Sequence, residues 1–173
     1  MGMIHIYCGD GKGKTTASLG LALRAAGSGM RVHIVQLLKG AYTSELDSIR
    51  LIPNITIERC DKNYGCIFTE DDENRQNVTA CNNQLLLSAE ELMKSGDIDM
   101  LIIDEFNNAY SLELIDRELA DRIVLQKPQK VELILTGRNP DRKFIDIADY
   151  VSEIKAVKHP YESGVIARKG IEY

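Results

Sequence analysis

No apolar run in this chain approaches the roughly 20 residues that span a bilayer, so no transmembrane helix and no membrane partner are expected. Met1 leads directly into strand-like sequence without the blocks of a signal peptide, which points to a cytoplasmic protein. Also missing is an extended basic stripe. The net charge is −5, with six basic and three acidic residues over positions 1–50 and four basic and ten acidic over 51–100. Positive charge therefore gathers near the start, and nucleic acid is not an expected partner. The four cysteines, Cys8, Cys60, Cys66 and Cys81, form no C-x-x-C pair, and in a reducing compartment they need not bridge. A zinc site from Cys60, Cys66 and Cys81 with His5, His33 or His159 would have no familiar ligand spacing. Repeats, low-complexity tracts and Pro-, Gly- or Ser-rich linkers are absent, and 173 residues with 44% hydrophobic content suit one domain with a full core.

Short apolar runs alternate with helix-periodic segments nearly throughout, which is the signature of a parallel sheet covered by helices. Strands are expected at 4–8, 31–37, 55–59, 100–104, 131–136 and 150–155, and helices at 14–26, 73–94, 115–125 and 142–147. The result is an α/β fold of about six strands, mostly parallel, with helices on both faces. In the long helix, Leu85, Leu86, Ala89, Leu92 and Met93 form a stripe that covers the sheet. Acidic residues Glu70, Asp71, Asp72 and Glu73 gather at its positive start. Positions 60–69 read as a longer irregular loop, and the stretch 158–173 has few regular features.

Between the first strand and first helix stands Gly9-Asp10-Gly11-Lys12-Gly13-Lys14-Thr15-Thr16. A glycine-rich turn running into Lys-Thr at a helix start directs backbone N–H groups and the positive helix end at one point, which holds phosphates. Cys8 occupies the place of the first glycine of the strict pattern, so this is a variant phosphate loop. Lys14 would reach the terminal phosphates and the Thr15 hydroxyl would sit on Mg²⁺. Lys12 is an additional cation. The run 100–105 is an apolar strand ending in Asp104-Glu105, which delivers carboxylates to the sheet edge where metal and nucleotide sit. Leu135-Thr136-Gly137-Arg138 ends another strand at the same edge. Spacing alone leaves Arg138, and Arg24 in the first helix, open between phosphate contacts and surface positions.

Taken together, these motifs resemble the P-loop type of ATP:corrinoid adenosyltransferases over nearly the whole length. The resemblance is carried by residues 9–16, the Val35-Gln36-Leu37-Leu38-Lys39-Gly40 segment, Leu51-Ile52-Pro53-Asn54, Asp104-Glu105, residues 133–138, and Ala148-Asp149-Tyr150-Val151-Ser152-Glu153. The ending from Lys158-His159-Pro160 to Gly170-Ile171-Glu172-Tyr173 is the discriminating part. The resemblance implies a RecA-like P-loop NTPase fold, Mg²⁺, a homodimer, and a reaction in which the 5′-deoxyadenosyl group of ATP passes to the Co(I) of a reduced corrinoid with release of triphosphate. A reduced flavoprotein is the expected electron donor. It also implies that residues from Asp10 to Thr16 bind the triphosphate, Glu105 the metal, Arg24 and Arg138 the phosphates, and that His159 lies near the corrinoid.

The chain departs from the family pattern in two places. Asp10 stands where asparagine is usual, so a carboxylate near phosphates needs Lys12 or a metal to offset it. The segment with Tyr64, Gly65, Phe68 and Thr69 matches the family's Gly-Phe-Thr-Trp in part, but Glu70 replaces an aromatic residue and the chain has no tryptophan. The resemblance leaves two readings: Phe68, with Tyr64, weakens the lower axial ligand of cobalt, or the enzyme prefers corrinoids whose lower ligand is already weak or absent. Two rival readings share the phosphate loop: a small kinase or ATPase with Glu105 as base, and a non-catalytic ATP-binding module.

Overall fold

The computed structural model describes residues 1–60, 72–160 and 164–173. Its elements run β1 (Ile4–Cys8), α1 (Lys14–Gly27), β2 (Val32–Gln36), α2 (Glu45–Ile49), β3 (Ile55–Arg59), α3 (Asp72–Ser95), β4 (Met100–Asp104), α4 (Phe106–Ser111), α5 (Arg117–Leu125), β5 (Glu132–Thr136), α6 (Arg142–Ile147) and β6 (Tyr150–Glu153). All the pairings are parallel, in the order β3-β2-β4-β5-β1-β6. The strands alternate their side chains between two cores, as a period of two requires. Ile6, Val35, Leu101, Ile103, Leu133 and Leu135 pack beneath α3, α4, α5 and α6. Val32, Ile34, Met100, Ile102 and Ile134 pack beneath α1 and α2.

The stripe expected on the long helix is the face that α3 buries, with Leu86 and Ala89 fully covered. Asp116 and Asp141 start α5 and α6 by accepting the Leu119 and Lys143 N–H groups at 2.8 and 3.0 Å. The short helices α2 and α4 lie outside the sequence expectation, because five or six residues carry too little periodicity to be read. The cysteines also depart from it. Cys60, just past β3, is disulfide-bonded to Cys81 on α3, with 6.2 Å between Cα atoms. The return of the chain from the sheet edge into α3 brings these two together, and it removes both from any zinc site. Among the described residues, no group of three His, Cys, Asp or Glu side chains is placed to hold a metal by itself. No described helix is long and apolar enough to cross a membrane.

β5 lies between β1 and β4, so the strand that launches the phosphate loop and the strand that ends in Asp104 are two apart. Gln36 on β2 pairs in register with Asp104, and Ile103 pairs with Leu135 on β5, which sets Thr136 beside Asp104 on the other side. Asp104 is thereby framed from both sides at the carboxyl edge of the sheet, where open α/β folds bind ligands.

Candidate active site

The phosphate loop is shaped by its glycines and braced by the chain that follows β6. Gly9 and Gly13 have φ of 97° and 120°, a region closed to ordinary L side chains. A Cβ on Gly9 or Gly11 would lie 2.5 or 2.7 Å from the Ile154 carbonyl oxygen. That close approach is used: the Gly11 N–H donates to Ile154 O at 2.7 Å, and Ile154 N–H to Cys8 O at 2.8 Å. Cys8 itself is buried at the end of β1, and burial raises its thiol, so it acts as core.

Lys14 opens α1 and curls back over the loop, its ammonium donating to the carbonyls of Gly9 and Gly11 at 2.7 and 2.8 Å. Burial lowers its pKa, with the nearby Glu105 carboxylate pulling the other way. The Thr15 hydroxyl donates to Asp104 at 2.9 Å. Thr136 donates to the same carboxylate at 2.6 Å and accepts from the Glu105 N–H at 3.0 Å. Lys39, from the turn after β2, lies 2.5 Å from Asp104 and 3.1 Å from the Thr15 oxygen. Sequence reasoning had no role for Thr136 or Lys39. Thr136 ends β5 and Lys39 stands three residues past β2, and local pattern alone does not bring either strand end to Asp104.

Glu105 follows Asp104 in the left-handed region at φ 63°, an unusual conformation for a side chain of this size. Burial, and then the Asp104 charge, raise its carboxyl above the usual range, while Lys39, Lys14 and Arg138 draw it down. Arg138 sits after Gly137, whose φ of 127° and contact with Asn108 leave no room for a Cβ. Its guanidinium lies 3.4 Å from Asp10. The carboxylate expected to need Lys12 or a metal is thus offset by Arg138 instead. Lys12 turns the other way, to Ile171 O at 3.0 Å and to Glu172 at 3.8 Å.

A cavity of about 270 Å³ opens over the loop, with Lys14, Thr16, Glu105, Arg138, His159 and Glu172 in its wall. An adjoining one of about 400 Å³ shares Thr15, Thr16, Ile171 and Glu172 with it and extends past Lys39 to Ser44. Nearly all the sequence candidates therefore converge. Arg24 does not join them: it lies in the last turn of α1, about 15 Å from Lys14 by helical rise. Phe68, with Tyr64 and Glu70, lies outside the described residues. A larger groove of about 710 Å³ runs along β3 between aliphatic side chains such as Leu46, Ile49 and Ile57. Its Arg59 is already bound to Gln36 and Thr43 at 3.1 and 3.2 Å.

The donor set at the strand edge is all oxygen: the Thr15 hydroxyl and the Asp104 and Glu105 carboxylates, with the Lys39 ammonium bridging the first two. Such donors suit a hard divalent cation shared with phosphate oxygens, and a bound ammonium marks the same spot as one that attracts positive charge. Loop, strand-end carboxylate and sheet order together define a P-loop nucleotide-binding protein of the RecA-like kind. The profile of the family described as ATP:corrinoid adenosyltransferase BtuR/CobO/CobP matches residues 1–173, and the chain belongs to that family. It is 33% identical over 172 residues to the corrinoid adenosyltransferase of Escherichia coli K12, covering 99% of this chain and 86% of that one. It is 35% identical over 176 residues to the corrinoid adenosyltransferase of Pseudomonas aeruginosa, covering 99% and 84%. The corrinoid adenosyltransferase CobA of Salmonella typhimurium aligns at 33% identity over 172 residues.

Proposed function

We propose that this protein transfers the 5′-deoxyadenosyl group of ATP to the cobalt of a reduced corrinoid, forming adenosylcobalamin or a related adenosylcorrinoid and releasing triphosphate. The observation that carries it is the convergence of Lys14, Glu105, Arg138, His159 and the 171–172 tail on one cavity, in a chain matched end to end by the family. Co(I) is a strong nucleophile, so the protein need not supply one. What remains is to position C5′ and to stabilise a leaving group of about four negative charges. The loop amides, Lys14 and Arg138 are placed to do the second. Glu105, Asp104 and Thr15 would hold Mg²⁺, which would supply further neutralisation of the leaving triphosphate.

His159, in the wall of the cavity, is assigned to the corrinoid side of the site, and the tail, seated on Lys12, to its cover. The same reading brings a reduced flavoprotein as electron source, a homodimer as the working assembly, and a cytoplasmic setting.

The test is anaerobic incubation with MgATP and chemically reduced cob(I)alamin, following the corrinoid spectrum and identifying the phosphate product. Adenosylcobalamin together with triphosphate is the expected result. ADP and phosphate with unaltered cobalt would overturn it and make Glu105 a hydrolytic base, a role to which its raised pKa is suited.

A further inference from the structure

Lys39 is held in place with care. The preceding Leu38 adopts φ 60°, left-handed and costly for a branched side chain. The turn is pinned to the site by the Leu37 N–H, which donates to the Asp104 carbonyl at 3.1 Å. The Leu38 N–H reaches Asn82 on α3 at 3.4 Å. This turn sets the Lys39 ammonium between the Thr15 hydroxyl and Asp104, at 3.1 and 2.5 Å. Asp104 is 1% exposed, and a carboxylate so far from water demands a compensating charge. Among the described residues Lys39 is its ion-pair partner, since Lys14 is engaged with loop carbonyls.

We propose that Lys39 is a resident stand-in for the divalent cation, which it releases to the triphosphate when metal and nucleotide arrive together. The proposal rests on reading the site as one for a metal–triphosphate complex. A metal ion arriving alone would have to evict the ammonium from its buried ion-pair partner with no new anion supplied in exchange. A metal ion arriving with triphosphate provides that ammonium with a new partner, because the phosphate oxygens approach the same Thr15. Lys39 therefore couples the two ligands: bare metal is rejected, and metal and triphosphate favour each other by a reciprocal factor. The turn also gains a second purpose, since a freed Lys39 adds a charge-assisted contact to the leaving group.

Mn²⁺ binding, followed by electron paramagnetic resonance with and without inorganic triphosphate, reads this coupling in the absence of corrinoid. Failure here is thus distinct from failure of adenosyl transfer. Wild type should bind Mn²⁺ alone at least about tenfold more weakly than Lys39→Met, and triphosphate should raise the wild-type affinity by a larger factor than the variant's. Equal Mn²⁺ affinities, or equal gains on adding triphosphate, would overturn the proposal, even if the variant melts at a lower temperature. A measurement on the unaltered protein stands behind the variant: the Lys39 ammonium signal in ¹⁵N NMR should shift when Mg²⁺ and triphosphate are added together and hold still with Mg²⁺ alone. A signal unmoved by both would equally overturn it.

Discussion

Glu105 answers to two opposed demands. Its carboxylate must be charged to attract metal, yet burial and the neighbouring Asp104 raise its pKa, so the charged form is held against the preference of its surroundings. A carboxyl raised in the folded state contributes stability that is full below its ordinary pKa and is lost as pH rises through the folded value. Once ionised, Glu105 is therefore a liability to the fold. Glu105→Gln should leave the thermal midpoint unchanged or higher near neutral pH while adenosyl transfer falls about 10–100-fold. Melting curves across pH and a rate assay check both halves, and an undiminished rate would remove Glu105 from the chemistry. Thr136 and Lys39 were invisible as site residues in the sequence for a common reason. Each acts by meeting Asp104 across a strand, and strand order is not written in local pattern.

At the scale of elements, β1, β3 and β4 could be delimited to the residue: β4 is a short continuous apolar block buried at every position, while β1 and the start of the edge strand β3 alternate apolar with polar or half-buried residues. The α3 stripe was legible for the same kind of reason, at helical period. The pairing of α3 with α5 was not legible, and it carries a separate device. Glu90 on α3 is buried and receives Arg122 of α5 at 2.7 Å and Lys94 at 2.8 Å. The Arg122 guanidinium, ahead of Lys94, holds the Glu90 carboxyl at about 2. A depressed carboxylate contributes stability above its ordinary value and loses it as pH falls through the folded one. Arg122→Ala should thus lower unfolding stability near neutral pH, with solvent around the arginine limiting the loss. The gap from wild type should narrow between pH about 4.5 and about 2. Denaturant titrations at several pH values would show it, and a gap independent of pH would mean that Arg122 acts through packing alone.

For the whole molecule, the decisive fact is that the phosphate loop is supported by a segment from the far end of the chain. Ile154 accepts from Gly11 and donates to Cys8, while β1 is hydrogen-bonded to β5 and β6 on either side. Ile154→Pro keeps the carbonyl but deletes the N–H, and it should weaken MgATP binding about tenfold with the far-ultraviolet circular dichroism preserved. Titration calorimetry measures this, and unchanged affinity would show that the loop needs no brace. The placement of β1 also sets a clock on biosynthesis. The loop leaves the ribosome ahead of β5 and β6, the strands on either side of β1, by on the order of 10 s at ordinary elongation rates. A nascent chain therefore carries its ATP-binding motif without the means to use it, and competence appears only as synthesis of the sheet is completed.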